Sequence, residues 1–364
     1  MTRRQFIASL AAAAPTRGAD LRITRFELFT ARVPFSARVR EAWIRSWTHQ
    51  KRDQTDYVLN FVRLHTASGL TGIGETKIPR PQAEARLKAL VGRTAADLLR
   101  DDDLRGILIA VSDLVAKASG KPLARLLNPD AKSKIIPTWW SQCFPPDLMA
   151  SEAKLGASLG YRVHKVKARP WEDPVAQAAA ICAVVPKDMK IWVDANETWQ
   201  TVEKTVEVTR KLAAFSNYFA IESPISRKDI DGYRKLKGRL PLKISEHVDN
   251  LDLDLWTREG LLDAWVSGAP RLGAYVSGLA ARAAAAKIPI WIEHSIDNGI
   301  AQVFQAHQAA AYRGIEYAIA ITHVLEDDLM AEPFAVREGF YSIPSAPGLG
   351  VSLDEAAIDR YRIA

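Results

Sequence analysis

"RVHKVKAR", residues 162–169, alternates as a β-strand does: Val163, Lys165 and Lys167 share one face, and His164, Val166 and Ala168 the other. Two lysines on one buried face repel each other and lose hydration. The strand is therefore either a solvated edge or the wall of an interior that supplies negative charge. Its neighbours favour the second reading. A helical pattern, DLMASEAKLGASLG, precedes it and another, EDPVAQAAAICAVV, follows. The same alternation continues through MKIWVDAN, YFAIESPI, PLKISEHV, DAWVSGA and PIWIEHS, each followed by an amphipathic stretch. IIPTWWSQCF stands before it, and AIAITHV supplies a candidate eighth strand. Strands alternating with helices imply a parallel sheet, and seven or eight such units imply a closed (β/α)8-type barrel of the TIM kind rather than an open sheet.

Upstream the rhythm differs. LRITRFELFTARVPF and DYVLNFVRLHTASGLTGIGET read as strands, the second as a hairpin turning at TASG. From Pro81 to about Leu127 the apolar spacing becomes helical, with Gly120 and Pro122 as stop signals. The expected organisation is an α/β protein with an α+β capping domain over 20–130, the barrel over 131–335, and a segment over 336–364 that returns to the cap. Between the first strands, residues 36–56 form a long polar loop holding Arg38, Arg40, Arg45, His49, Lys51 and Arg52 with Trp43 and Trp47. A loop of that length is usually functional.

The 364 residues are 48% hydrophobic and 25% charged, an ordinary globular balance, with a net charge of +7. The cations are dispersed among acids, so a small anionic substrate is expected and a nucleic-acid partner is not. No apolar run is long enough to span a membrane. Cys143 and Cys182 lack metal-ligand spacing and read as buried free thiols, with a disulfide between them as the alternative. The first 19 residues carry Arg3 and Arg4 ahead of a short apolar run, which reads as a twin-arginine export signal and a periplasmic location, or as a basic disordered tail on a cytoplasmic protein.

In such a barrel the chemistry lies at the C-terminal ends of the strands. Those ends hold Lys165 and Lys167, then Asp194, Glu222 and Glu246, then Ser267 and Gly268, then His294 and Glu326. Three acids on neighbouring strands about 5 Å apart repel unless a cation lies between them. All-oxygen ligation points to Mg2+, with Mn2+ or Ca2+ as alternatives. Asn196 is placed to orient Asp194, or to serve the turn that follows it.

These features together resemble the enolase superfamily, in its mandelate racemase and muconate lactonizing enzyme branch. LTGIGET resembles its cap hairpin, AVSDLVAKASGKPLARLLN its helix before the barrel, and HKVKAR its K-x-K strand. VDANETW, IESPI and ISEHV resemble its metal-ligand strand ends, and PSAPGLGVSLDEAAIDRY its C-terminal segment. The resemblance implies that Asp194, Glu222 and Glu246 bind Mg2+. It makes Lys167 the base that takes the proton α to a substrate carboxylate, and Lys165 its electrostatic helper. It makes His294 the acid or base opposite, and Glu326 a substrate-binding carboxylate. The sixth strand departs from the pattern: Gly268 stands where an orienting acid or a second lysine is expected. That absence favours one-base dehydration of an acid sugar or hydroxy acid over racemisation, with epimerisation or non-catalytic binding as the alternatives. Asp297, three residues beyond His294, is an acid that could substitute for the missing one. A homo-oligomer is expected.

Overall fold

The computed structural model describes residues 19–45, 54–268, 274–293 and 296–364. The arginine-containing leader, the loop residues Trp47, His49, Lys51 and Arg52, and His294 lie outside the described residues.

Strands β1 (Ile23–Pro34), β2 (Asp56–Thr66) and β3 (Thr71–Thr76) form an antiparallel sheet in that order. β3 lies directly on the helix Ile107–Ala118: a Cβ at Gly72 would stand 2.2 Å from the Ala110 carbonyl oxygen, so only glycine permits the approach. Within this helix the buried Asp113 accepts from the Ile73 N–H at 2.9 Å and the Leu349 N–H at 2.8 Å, and pairs with Lys117. One carboxylate thus ties the cap hairpin to the C-terminal segment. That segment ends in the helix Glu355–Tyr361, and its last residues bond back to Thr30 of β1.

The barrel comprises β4 (Lys134–Ser141), β5 (Val163–Lys167), β6 (Lys190–Asp194), β7 (Tyr218–Glu222), β8 (Lys243–His247), β9 (Ala264–Gly268), β10 (Ile290–Glu293) and β11 (Ile315–Ala320). All neighbours are parallel, and pairing of β11 with β4 closes the ring. The expected eighth strand starts and stops earlier than AIAITHV, because Thr322–Val324 coil into one 3-10 turn at the mouth. A small hairpin, β12 (Val336–Arg337) and β13 (Phe340–Ser342), adds antiparallel to the start of β4.

Period-2 alternation fills the barrel with aromatic rings. Trp192, Trp291, Tyr317 and Phe219 pack with ring centroids 4.7–6.2 Å apart. This apolar plug is a dry floor for whatever sits above it.

The expected loop over 36–56 is in part a helix, Ala37–Arg45. Val39 and Trp43, one turn apart, bury one face. Trp43 meets Phe35 at 4.4 Å, Trp140 at 5.8 Å and Phe144 at 6.3 Å, which seals cap to barrel. Arg38 and Arg40 lie on the same helix. Arg38 bonds Glu152 at 2.7 Å and the His323 carbonyl at 2.7 Å. The two tryptophans of TWW divide their roles. Trp140 is level with Lys165 and joins the cap interface. Trp139 packs on the opposite side of β4, against Gly156 of the next helix and on the His323 ring at 3.4 Å.

Candidate active site

Strand register sets the site. Lys167 is level with Asp194, Asp194 with Glu222, and Glu222 with Ser245. Residues at one level of a barrel point the same way, so these four side chains face the interior. One residue further along β8 reverses the direction. Glu246 therefore does not join Asp194 and Glu222. It accepts from Tyr233 Oη at 2.5 Å, from Ser223 Oγ at 2.7 Å and from the His247 N–H at 2.7 Å. Burial raises its pKa against those donors. Of the three carboxylates expected around one Mg2+, the structure brings Asp194 and Glu222 together and turns Glu246 away, by a parity that sequence alone leaves open: the inward residues of β8 are Ser245 and His247.

Six ionisable side chains meet above the aromatic floor. Lys165, fully buried, bonds Glu222 Oε1 at 2.7 Å, lies 3.1 Å from Asp194 Oδ2 and pairs closely with Glu293. Lys167 pairs with the same Asp194 oxygen. His247 Nε2 stands 3.3 Å from Glu222 Oε1 and 2.6 Å from Glu293 Oε1. Trp192 Nε1 donates to Glu222 Oε2 at 3.0 Å. Glu293 and His247 were not singled out from the sequence. Their signal was present in strand-end positions of PIWIEHS and PLKISEHV, but the choice between adjacent residues depends on which way each strand faces.

The electrostatics follow from enclosure. Burial opposes the charge on Lys165, yet Asp194, Glu222 and Glu293 outweigh it and hold the ammonium above the ordinary lysine range. Burial opposes ionisation of Asp194, but Lys165, Lys167 and Arg169 drive its pKa well below normal. Glu293 is likewise lowered, against burial, by Lys165 and His247. His247 is raised well above its usual value by Glu293 and Glu222 despite its burial. The cluster is thus three acids against two lysines and an imidazolium.

The other expected residues fall nearby in different roles. Asn196, in a left-handed turn at φ 44°, donates its N–H to Asp194 Oδ1 at 2.9 Å and accepts from Arg169 at 2.6 Å. Its backbone orients the acid while its side chain anchors a cation. Glu326 pairs with Arg40 from the cap helix. Asp297 is bonded to Lys77 at 2.6 Å, a cap residue. The acid nearest Gly268 is instead Asp249, whose Oδ2 accepts from the Gly268 N–H at 3.3 Å.

Of the three residues expected to hold Mg2+, Asp194 and Glu222 face the interior together, while both oxygens of Glu246 are engaged by Tyr233, Ser223 and the His247 N–H. Among the described residues the side chains whose ligand atoms converge as a possible cation site are Glu222, His247 and Glu293.

The family profile described as Enolase C-terminal domain-like matches residues 148–357. Among curated relatives, D-gluconate dehydratase of Thermoproteus tenax is 23% identical over 279 residues, which is 71% of this chain and 56% of that protein. Muconate cycloisomerase 1 of Pseudomonas putida is 25% identical over 354 residues, 86% of this chain and 92% of that one. Among solved structures, muconate lactonizing enzyme from Pseudomonas fluorescens complexed with muconolactone superposes with a TM-score of 0.79 at 24% identity, covering 95% of this chain and all of that one. The chain thus spans little more than half the length of the gluconate dehydratase it matches and nearly the full length of the cycloisomerase.

Proposed function

The chain belongs to the enolase C-terminal domain-like family, and we propose that it removes the proton α to the carboxylate of a small acid, most specifically in the dehydration of an acid sugar. The observation that carries this reading is the inequality of the two β5 lysines. Lys165 is sealed among three carboxylates, while Lys167 retains about a tenth of its side-chain surface open toward the mouth. A base must reach its substrate, and Lys167 can.

The α-proton of a carboxylate is very weakly acidic, and the enediolate left behind carries two negative charges. Lys167 is the amine that takes the Cα proton. The Lys165 ammonium, fixed before substrate arrives, offers positive charge to the developing enediolate without reorganisation. The aromatic floor and the Trp43–Trp140 seal keep water away and strengthen that attraction. The β-hydroxyl then departs as water, protonated by a weak acid, either a water molecule or the His294 that the resemblance names, and the resulting enol tautomerises to a 2-keto acid. A divalent ion, Mg2+ by the resemblance, would supply Lewis-acid stabilisation of the same charge when bound. Arg40 with Glu326, and Arg38 near the mouth, supply the polar rim that an anionic, hydroxylated substrate requires. Similarity to D-gluconate dehydratase supports this substrate class. With Gly268 on β9, no lysine stands there to complete the lactonizing arrangement.

The test is incubation with a library of acid sugars in D2O, followed by proton NMR. A 2-keto acid product is expected, and Lys167→Ala is expected to abolish both product and exchange. Loss of the α-proton signal without product would replace dehydration by epimerisation. No exchange with any ligand that binds would overturn proton abstraction altogether.

A further inference from the structure

Strands β4, β6 and β8 each begin with a lysine, Lys134, Lys190 and Lys243, and Lys287 stands three residues before β10. These are alternate strands of the ring, and alternate strands of a (β/α)8 barrel fill one layer of its interior. Register puts the first three on the inward face. Lys190 is level with Val163 and lies two residues before Trp192, and Lys243 is level with Ala220 and lies two before Ser245. Lys134 lies two before Ile136, which is level with Tyr317 of the aromatic plug. The cations thus collect beneath the plug, at the end of the barrel opposite the catalytic mouth. Two rest on aromatic faces: Lys134 Nζ is 4.0 Å from the Phe340 ring centroid and Lys190 Nζ is 5.9 Å from that of Phe219. Lys287 follows the helix Ala274–Ala286 in a left-handed conformation, φ 56°, where glycine is the usual residue. Among the described residues none of the four forms an ion pair, whereas lysines on the outer helices do, as Lys88 does with Glu84 and Lys211 with Glu207.

Lys134, Lys243 and Lys287 line an open cavity of about 830 Å3 at this end, together with Lys132, whose Nζ donates to the Ile315 carbonyl at 3.0 Å. Its walls are apolar, with Ile136, Ile288 and the Phe340 ring among them. Glu316 is the one acid in the lining, and its Oε2 already accepts from Trp291 Nε1 at 3.0 Å. Four cations around one committed acid repel one another, and a bound anion relieves that repulsion. We propose that this basal cavity binds an organic polyphosphate of the nucleoside triphosphate class. Lysine ammoniums are point charges that suit the many oxygens of a polyphosphate, and the lining holds no arginine fork for planar, bidentate recognition of a carboxylate. A cavity of this size and apolar wall takes an organic body as well as the phosphates. The site lies on the other side of the plug from the reaction proposed above, and holds or fails independently of it.

Full-length protein is titrated calorimetrically with ATP, pyrophosphate and citrate. One ATP per chain is expected, displaced by pyrophosphate, with citrate bound at least about tenfold more weakly and an ATP affinity that falls as NaCl is raised. The double variant Lys134→Ala, Lys243→Ala is expected to weaken ATP binding by at least about tenfold, the loss expected for even one charged hydrogen bond. Lys88→Ala, on the cap, and Lys167→Ala, at the catalytic mouth, are expected to leave it unchanged. The preference of the wild-type protein for ATP over citrate keeps the test sound if the double variant folds poorly. No binding of ATP, no displacement by pyrophosphate, equal affinity for citrate, or full affinity in the double variant would each overturn the proposal. So would an equal loss in Lys88→Ala, which would mark a general effect of charge, or in Lys167→Ala, which would place the anion at the catalytic mouth.

Discussion

Replacing Lys165 with methionine removes the one ammonium that touches Asp194, Glu222 and Glu293 together. Methionine keeps most of the stem volume, so the lost charge dominates the effect. Breaking a buried ion pair by deleting one partner costs about 3–5 kcal/mol, because the other is left uncompensated. For a chain of this size that corresponds to a fall in Tm of about 4–7 °C. The pH dependence gives the sharper reading. In the wild type, Asp194 and Glu293 have folded pKa values depressed by Lys165. Depressed carboxyls contribute stability that is present above their unfolded values and is lost only as pH falls through the low folded ones. Without Lys165, at least one of the three acids rises above its unfolded value. Such a group binds its proton in the native state and loses stability as pH rises. The deficit of Lys165→Met relative to wild type should therefore be largest near pH 8 and shrink toward pH 5. Scanning calorimetry of both proteins at four pH values reads this directly. A deficit below about 1 kcal/mol at pH 8, or one that does not change with pH, would refute the reasoning that Lys165 is the cluster's internal cation.

Further outcomes follow from the same geometry. Glu246→Gln disturbs a buried acceptor held by Tyr233, Ser223 and a backbone N–H, so it should lower stability by about 1–3 kcal/mol in chemical denaturation. Glu75, at the end of the cap hairpin, accepts from the Asn298 N–H, and burial with the nearby Asp297 pushes its carboxyl up to about 8. Its contribution to stability is complete below the unfolded value and is lost as pH rises toward 8, so Glu75→Gln should flatten the wild-type decline between about pH 5 and 8. An unchanged slope in that variant would move the titration to another group.

Much of this protein was legible in its sequence. The alternation of period-2 and helical segments is a local property, because each strand and helix must bury one face, and it specified a closed parallel barrel with a separate cap. The K-x-K strand and the acids Asp194 and Glu222 were also legible, because they sit at strand ends where chemistry collects. Less was legible where the answer depended on direction. The helix Ala37–Arg45 was hidden by its many arginines until Val39 and Trp43 were seen to share a buried face. Glu326 and Asp297 read as site acids but are bonded to Arg40 and Lys77 of the cap, partners separated from them by most of the chain.

The amino-acid sequence by itself determined which strands line the site and that charge gathers at their ends. Only the tertiary structure decided which of two adjacent residues faces inward. Side chains on a strand reverse direction at every residue, so the register of β7 with β8 assigns Ser245 and His247 to the interior and Glu246 to the helix layer. The register of β9 with β10 brings Glu293 level with Gly268 on the inward face, where it pairs with His247. Those pairings are set by hydrogen bonds between segments distant in sequence, and no local pattern records them.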